Sequence, residues 1–119
     1  MLRDEDVVRL RHMLDAAGDA LGFAKGRCRA DLNSDRMLTF ALVRAIEVIG
    51  EAAAKVTPQG RSEAPTIPWG AVVGMRNRIV HAYYDIDLDV VWDTLTHDLP
   101  ALVSELRSAL VAYQDRPSA

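Results

Sequence analysis

Apolar residues recur along most of this chain at intervals of three and four, the period of a helix that buries one face. Val7, Leu10, Leu14, Ala17, Leu21 and Ala24 form the first such stripe. It predicts a helix over about residues 4–26, weakened near its end by Gly22 and Gly26. Residues 27–33 are polar and read as the turn, with Ser34 or Asn33 placed to cap a second helix over about 35–56. Its main stripe is Leu38, Leu42, Ala45, Ile49, Ala52 and Val56, widened by Met37, Ala41 and Val48. A helix apolar over so much of its circumference packs against more than one neighbour.

Pro58, Gly60 and Pro65 mark residues 57–67 as the one substantial loop. Pro68 suits the first turn of a third helix, with Trp69 as its anchor, running to about Tyr84. Asp87 is a plausible cap for a last helical stretch over 88–114. That stretch turns Val91, Leu95, Leu99, Leu102, Leu106, Ala109 and Tyr113 to the core. Pro100 should kink or split it near residues 96–99, because proline lacks the amide donor and clashes with the preceding turn. No strand pattern competes. The expected fold is all-α, an antiparallel four-helix bundle in one domain over 1–119, its last helix broken.

Composition narrows the function classes. Half the residues are apolar and 26% are charged, so this is no disordered tail protein. A net charge of −3 excludes a general nucleic-acid coater and makes any RNA contact local. A single cysteine, Cys28, excludes an internal disulfide and reads as a helix-end packing residue in a reducing, cytoplasmic setting. No apolar run reaches the roughly 20 residues that span a bilayer, and the charged start is not that of a signal peptide. No Cys/His spacing calls for a metal, and no cofactor is expected. Asp85, Asp87 and Asp89 alternate as in a calcium loop, but the intervening Ile86 and Leu88 argue for a structural role. His12 and His97 stand without a nearby nucleophile or ligand set and read as structural or surface residues.

The chemistry is concentrated between Met75 and Tyr84, where a permanent cation, an amide, a titratable imidazole and two phenols crowd together. Arginine grips phosphate oxygens in a fork, and histidine titrates near neutral pH and so moves protons. On one straight helix Asn77 and His81 are neighbours at i, i+4, whereas Arg76 and His81 are about 140° apart. Three arrangements would still aim both at one target: the long Arg76 side chain wraps round, the helix loosens near its end, or two copies face each other. The third, helped by the first, is the favoured reading and predicts a homodimer whose third helices line a shared cleft.

Arg76, His81 and Tyr83 match the Arg-x4-His-x-Tyr motif, and in this the chain resembles the HEPN ribonucleases. The likeness to their HepT-like branch, the toxin of HepT–MntA pairs, extends further. Ile49 to Ala52, Ile67 to Trp69, Gly74 to Tyr83, Val91–Trp92 and Asp98 to Pro100 all look like that family, in that order. The resemblance implies a metal-independent endoribonuclease that cuts RNA and not DNA, with Arg76 and His81 catalytic and Asn77 supporting them. It also implies a nucleotidyltransferase antitoxin as partner, which transfers AMP to Tyr83; the neighbouring Tyr84 is a second possible acceptor. Arg78 reads as an extra RNA contact. Arg44, Glu47, Glu51 and Lys55 share one helix face and read first as solvated ion pairs. Glu51 lies in a matched block, which makes it a candidate partner of Arg76 or His81. The competing reading is a non-catalytic helical subunit that serves a nucleotidyltransferase, with Arg76 gripping a nucleotide phosphate.

Overall fold

The structure, a computed structural model, describes residues 2–82 and 85–114, and for His81 and Ala82 only the backbone. Tyr83 and Tyr84 lie outside the described residues. The fold is all-α, as the periodicity requires. Its two longest helices are α1 (Asp4–Phe23) and α3 (Arg36–Ala54), separated by the single turn α2 (Asp31–Ser34). Then come α4 (Pro58–Glu63), α5 (Trp69–Val73) and α6 (Met75–Ile79). A small hairpin follows, strand β1 (Val80–Ala82) paired with β2 (Asp85–Ile86). The last stretch is α7 (Leu88–Asp93), a π-helical segment (Thr94–Asp98) and α8 (Leu99–Gln114). No helix among the described residues is long and apolar enough to cross a membrane.

The predicted stripes meet in one core. Leu10, Leu42, Ile46, Ile49, Leu99 and Leu106 are fully buried where α1, α3 and α8 pack together. The core side of α1 is set by Met13, Ala16 and Ala20, while Leu14, Leu21 and Ala24 are only half-buried at its edge. Two expectations fail at the surface. Met37 is 83% exposed rather than widening the core stripe, and Cys28 is exposed rather than packed.

Caps fix the helix ends. The cap of α3 is Asp35, one residue past the expected pair, because residues 31–34 already form a turn of their own. Asp35 Oδ1 accepts from the Leu38 amide at 3.0 Å, and its other oxygen receives Arg27 Nη2 at 2.5 Å. The Leu38 bond, reinforced by Arg27 and partly opposed by desolvation, holds the Asp35 carboxyl below the ordinary aspartate range. Because the folded pKa lies below the unfolded one, its contribution is full above the unfolded value and vanishes as pH falls through the folded one. Asp35→Asn keeps a capping oxygen but loses the charge. Its melting temperature should fall below the parent's at neutral pH, and the gap should close below about pH 4. A gap that persists at low pH would show that charge is not the cause.

The expected loop over 57–67 contains a helix as well. Thr57 Oγ1 caps α4 at the Gly60 amide, 3.0 Å away, with Pro58 in the first turn. Buried Asp6 ties this corner to α1, accepting from the Thr57 amide at 2.9 Å and from its hydroxyl at 2.6 Å. Gly60 is needed there: a Cβ would lie 2.5 Å from Asp6 Oδ2. Asp87 caps α7 as expected, through Val90 N at 3.1 Å. The π segment falls where Pro100 was expected to disturb the last helix. A proline at residue 100 has no amide for the carbonyl of residue 96, and the wider turn absorbs that gap.

Candidate active site

The third long helix of the expected bundle does not exist as one piece. Gly74 separates α5 from α6, and α6 ends at Ile79. Val80 then adopts φ −121° and ψ 103°, extended geometry. The reason is a competition that helical periodicity does not reveal. Ile79 and Val80 are adjacent β-branched residues, and Ile86 supplies a strand partner for Val80. The Asp87 amide donates to the Ile79 carbonyl at 2.7 Å and closes the hairpin against the end of α6. Ile79 is fully buried, so the switch from helix to strand is pinned from inside.

His81 is therefore a strand residue by its backbone, not the i+4 neighbour of Asn77, and the 140° helical separation from Arg76 does not apply. The helix ends before His81, which is the geometry of the second arrangement considered, the loosened helix end. Arg76 and His81 sit on two elements joined at the Ile79–Val80 boundary. Tyr83 and Tyr84 lie beyond β1, outside the described residues.

α6 turns Arg76, Asn77 and Arg78 outward in succession, all three exposed, while Met75 and Ile79 bury its inner face. Arg76 leans toward α3, where its Nε lies 3.5 Å from Glu47 Oε2. Glu47 is less exposed than Arg76, 26% against 52%, so the carboxylate is the fixed member and the guanidinium the reaching one. Gly50 of α3 lies against the carbonyl end of α5, where a Cβ would be 3.4 Å from the Val73 carbonyl oxygen. Glu51, read from sequence as a candidate partner of Arg76 or His81, pairs with Arg44 at 3.3 Å. Glu47 was legible only as part of a charged stripe, and which carboxylate of that stripe meets Arg76 depends on where α6 crosses α3. Arg78 points to the other side, with Nη2 3.4 Å from the Ala71 carbonyl and 3.8 Å from Asp98 Oδ2.

Trp69 and Trp92 are anchored within the fold. Trp69 Nε1 donates to the Ala64 carbonyl at 3.1 Å, and the Arg61 guanidinium stacks 5.7 Å from its ring centre. Trp92 is half-buried against the core. Asp89 pairs with Arg29 at 2.8 Å, and no metal-binding group of His, Cys, Asp or Glu occurs among the described residues. His97 is exposed beside Thr96, and exposed His12 lines an open groove between α1 and α3.

Residues 13–109 match the family model described as Ribonuclease HepT-like. The chain belongs to the HepT-like ribonuclease family. It is 36% identical over 80 residues to a protein of Thermococcus cleftensis named probable ribonuclease HepT, covering 67% of this chain and 73% of that one. To the putative RNase MJ1380 of Methanocaldococcus jannaschii it is 32% identical over 97 residues, covering 82% and 89%. To the putative RNase TTE0752 of Caldanaerobacter subterraneus it is 30% identical over 101 residues, covering 85% and 90%. No solved structure matches the chain.

Proposed function

We propose that this HepT-like protein is a metal-independent endoribonuclease toxin, silenced by a cognate nucleotidyltransferase that places AMP on Tyr83. The observation that carries the reading is Arg76, exposed on α6, steered by Glu47, and directly joined to the strand that contains His81. In the reaction the imidazole of His81 takes the proton of a ribose 2′-hydroxyl, whose oxygen attacks the adjacent phosphorus. The bond from phosphorus to the 5′-oxygen breaks, and that oxygen takes a proton from a protonated imidazole. The products are a 2′,3′-cyclic phosphate and a 5′-hydroxyl. Arg76 stabilises the charge that grows on the phosphate oxygens, and the fork geometry makes lysine a poor replacement. Asn77, exposed on α6, adds a further phosphate contact in this reading. DNA lacks the attacking hydroxyl and is not cut.

A homodimer would supply the second imidazole. Its support is the open face of α3, where Met37 is 83% and Phe40 51% exposed, on the helix that also presents Glu47 to Arg76. The adjoining groove has an acidic wall on α1, Asp15 and Asp19, facing Arg44 on α3. A two-fold copy would set each acidic wall against its partner's arginine.

Silencing follows from charge. The Tyr83 phenol oxygen attacks the α-phosphorus of ATP and pyrophosphate leaves, so the motif segment gains an anionic phosphate and an adenosine, and that charge repels the RNA backbone. The purified protein should cut RNA in the presence of a chelator and leave 2′,3′-cyclic ends. Loss of cutting on chelation, or 3′-hydroxyl ends, would defeat the mechanism. Co-expressed with its partner, it should gain AMP-sized mass on the peptide that contains Tyr83, and Tyr83→Phe should not. Labelling of the Phe variant at the parent's rate would move the acceptor to another residue.

A further inference from the structure

On the side of α6 away from Glu47, a cavity of about 300 Å³ opens between α5–α6 and the start of α8. Buried Val72, Met75 and Leu102 form its apolar interior. Arg78, Asp98, Glu105 and Thr66 provide its polar edge. The edge is organised: Thr66 donates its hydroxyl to Glu105, and Arg78 bridges the Ala71 carbonyl and Asp98. Asp98 is the last residue of the π segment. The wider turn sets its direction, since successive residues of an ordinary helix turn by about 100°, and such turns often mark functional sites.

The charges decide what can enter. Asp98 and Glu105 against Arg78 leave the edge net negative, which repels a phosphate and favours a group that brings N–H donors. The apolar interior requires flat or hydrophobic faces. An unpaired nucleobase meets both demands, and the volume is at the small end of ligand pockets, about 300–1,000 Å³. Guanine fits best, because its N1–H and amino group lie side by side and one carboxylate accepts both. Arg78 would remain to donate to the guanine O6, the commonest arginine contact with that base.

We propose that this cavity is a base-reading pocket for an unpaired guanine in the RNA strand whose phosphate Arg76 grips. The proposal deepens the ribonuclease reading and rests on it. A strand crossing the crest of α6 passes Arg76, Asn77 and Arg78 in turn, with phosphate contacts fixing its register and the pocket reading one base beyond them.

Guanosine 5′-monophosphate, titrated into the isotope-labelled protein, should shift the amides of Val72, Ala101 and Leu102 saturably. It should bind about tenfold or more tightly than the adenosine, cytidine and uridine monophosphates, within what a bidentate base contact confers. Glu105→Gln, a change of equal size at the half-buried rim, should erase that preference, and Leu102→Trp should fill the pocket and abolish the shifts. Equal response to all four nucleotides, no saturable shift at these amides, or an unchanged preference in Glu105→Gln would overturn the pocket. Mapping of cut sites on RNA of random sequence separates the two readings. Cuts by the parent at a fixed distance from guanine, spread over all bases by Glu105→Gln, support the proposal. Cutting with no base preference sinks the pocket and leaves the nuclease, whereas guanosine binding without any cutting sinks the nuclease and RNA as the source of the guanine.

Discussion

His81→Ala is expected to lower RNA cleavage by about 10²–10⁴-fold, the usual share of general acid–base help. Growth inhibition by the expressed chain should disappear with it. The substitution removes the one group in the Arg76–His81 segment that can both take and return a proton near neutral pH. If a two-fold copy supplies the second imidazole, the variant loses acid and base together, which places the loss toward the upper end of that range. The backbone of His81 belongs to β1 and not to α6, so the helical circular-dichroism signal should be unchanged. A variant that cuts as fast as the parent would remove His81 from the mechanism, whatever its family position.

Ile79→Ala should produce the largest loss of stability near the site, about 2–5 kcal/mol, as for other large-to-small changes in a close-packed core. Ile79 is fully buried at the point where α6 gives way to β1, and its carbonyl accepts the Asp87 amide that closes the hairpin. The truncation therefore leaves a void under the joint that relates Arg76 to His81. A thermal or denaturant melt gives the stability change. Cleavage measured well below the new melting temperature should also fall, because the joint no longer sets one relation between the two elements. A destabilised variant with full activity would show that the joint does not position the site. Arg78→Ala provides the contrast: its partners are exposed and its contact with Asp98 is long, so stability should change by less than about 1 kcal/mol.

How far the sequence reached depends on what kind of information each feature needs. The long helices were legible because their apolar residues repeat with a period that has one structural meaning, and Leu38, Leu42, Ile49, Leu99 and Leu106 are all buried as that period requires. The Asp87 cap and the disturbance near Pro100 were legible for a similar reason: proline and capping side chains act within a turn of their own position. The matched blocks around Gly74 to Tyr83 were enough to place the chain among the HepT-like ribonucleases. Met37 misled, because an apolar residue at a helical spacing is buried only if something covers it, and in the single chain nothing does.

Three features came only from tertiary structure. The end of α6 at Ile79 depends on Val80 finding Ile86 as a strand partner, a pairing that helical spacing within residues 75–84 does not contain. The choice of Glu47 over Glu51 as partner of Arg76 depends on where α6 crosses α3, which no spacing within either helix contains. The pocket behind Arg78 draws its walls from residues as far apart as Thr66 and Glu105. Sequence by itself determined the helices, the family and the chemical groups, because each is written in neighbours along the chain. Which groups face one another was decided by packing, because that relation exists only after distant segments are brought together.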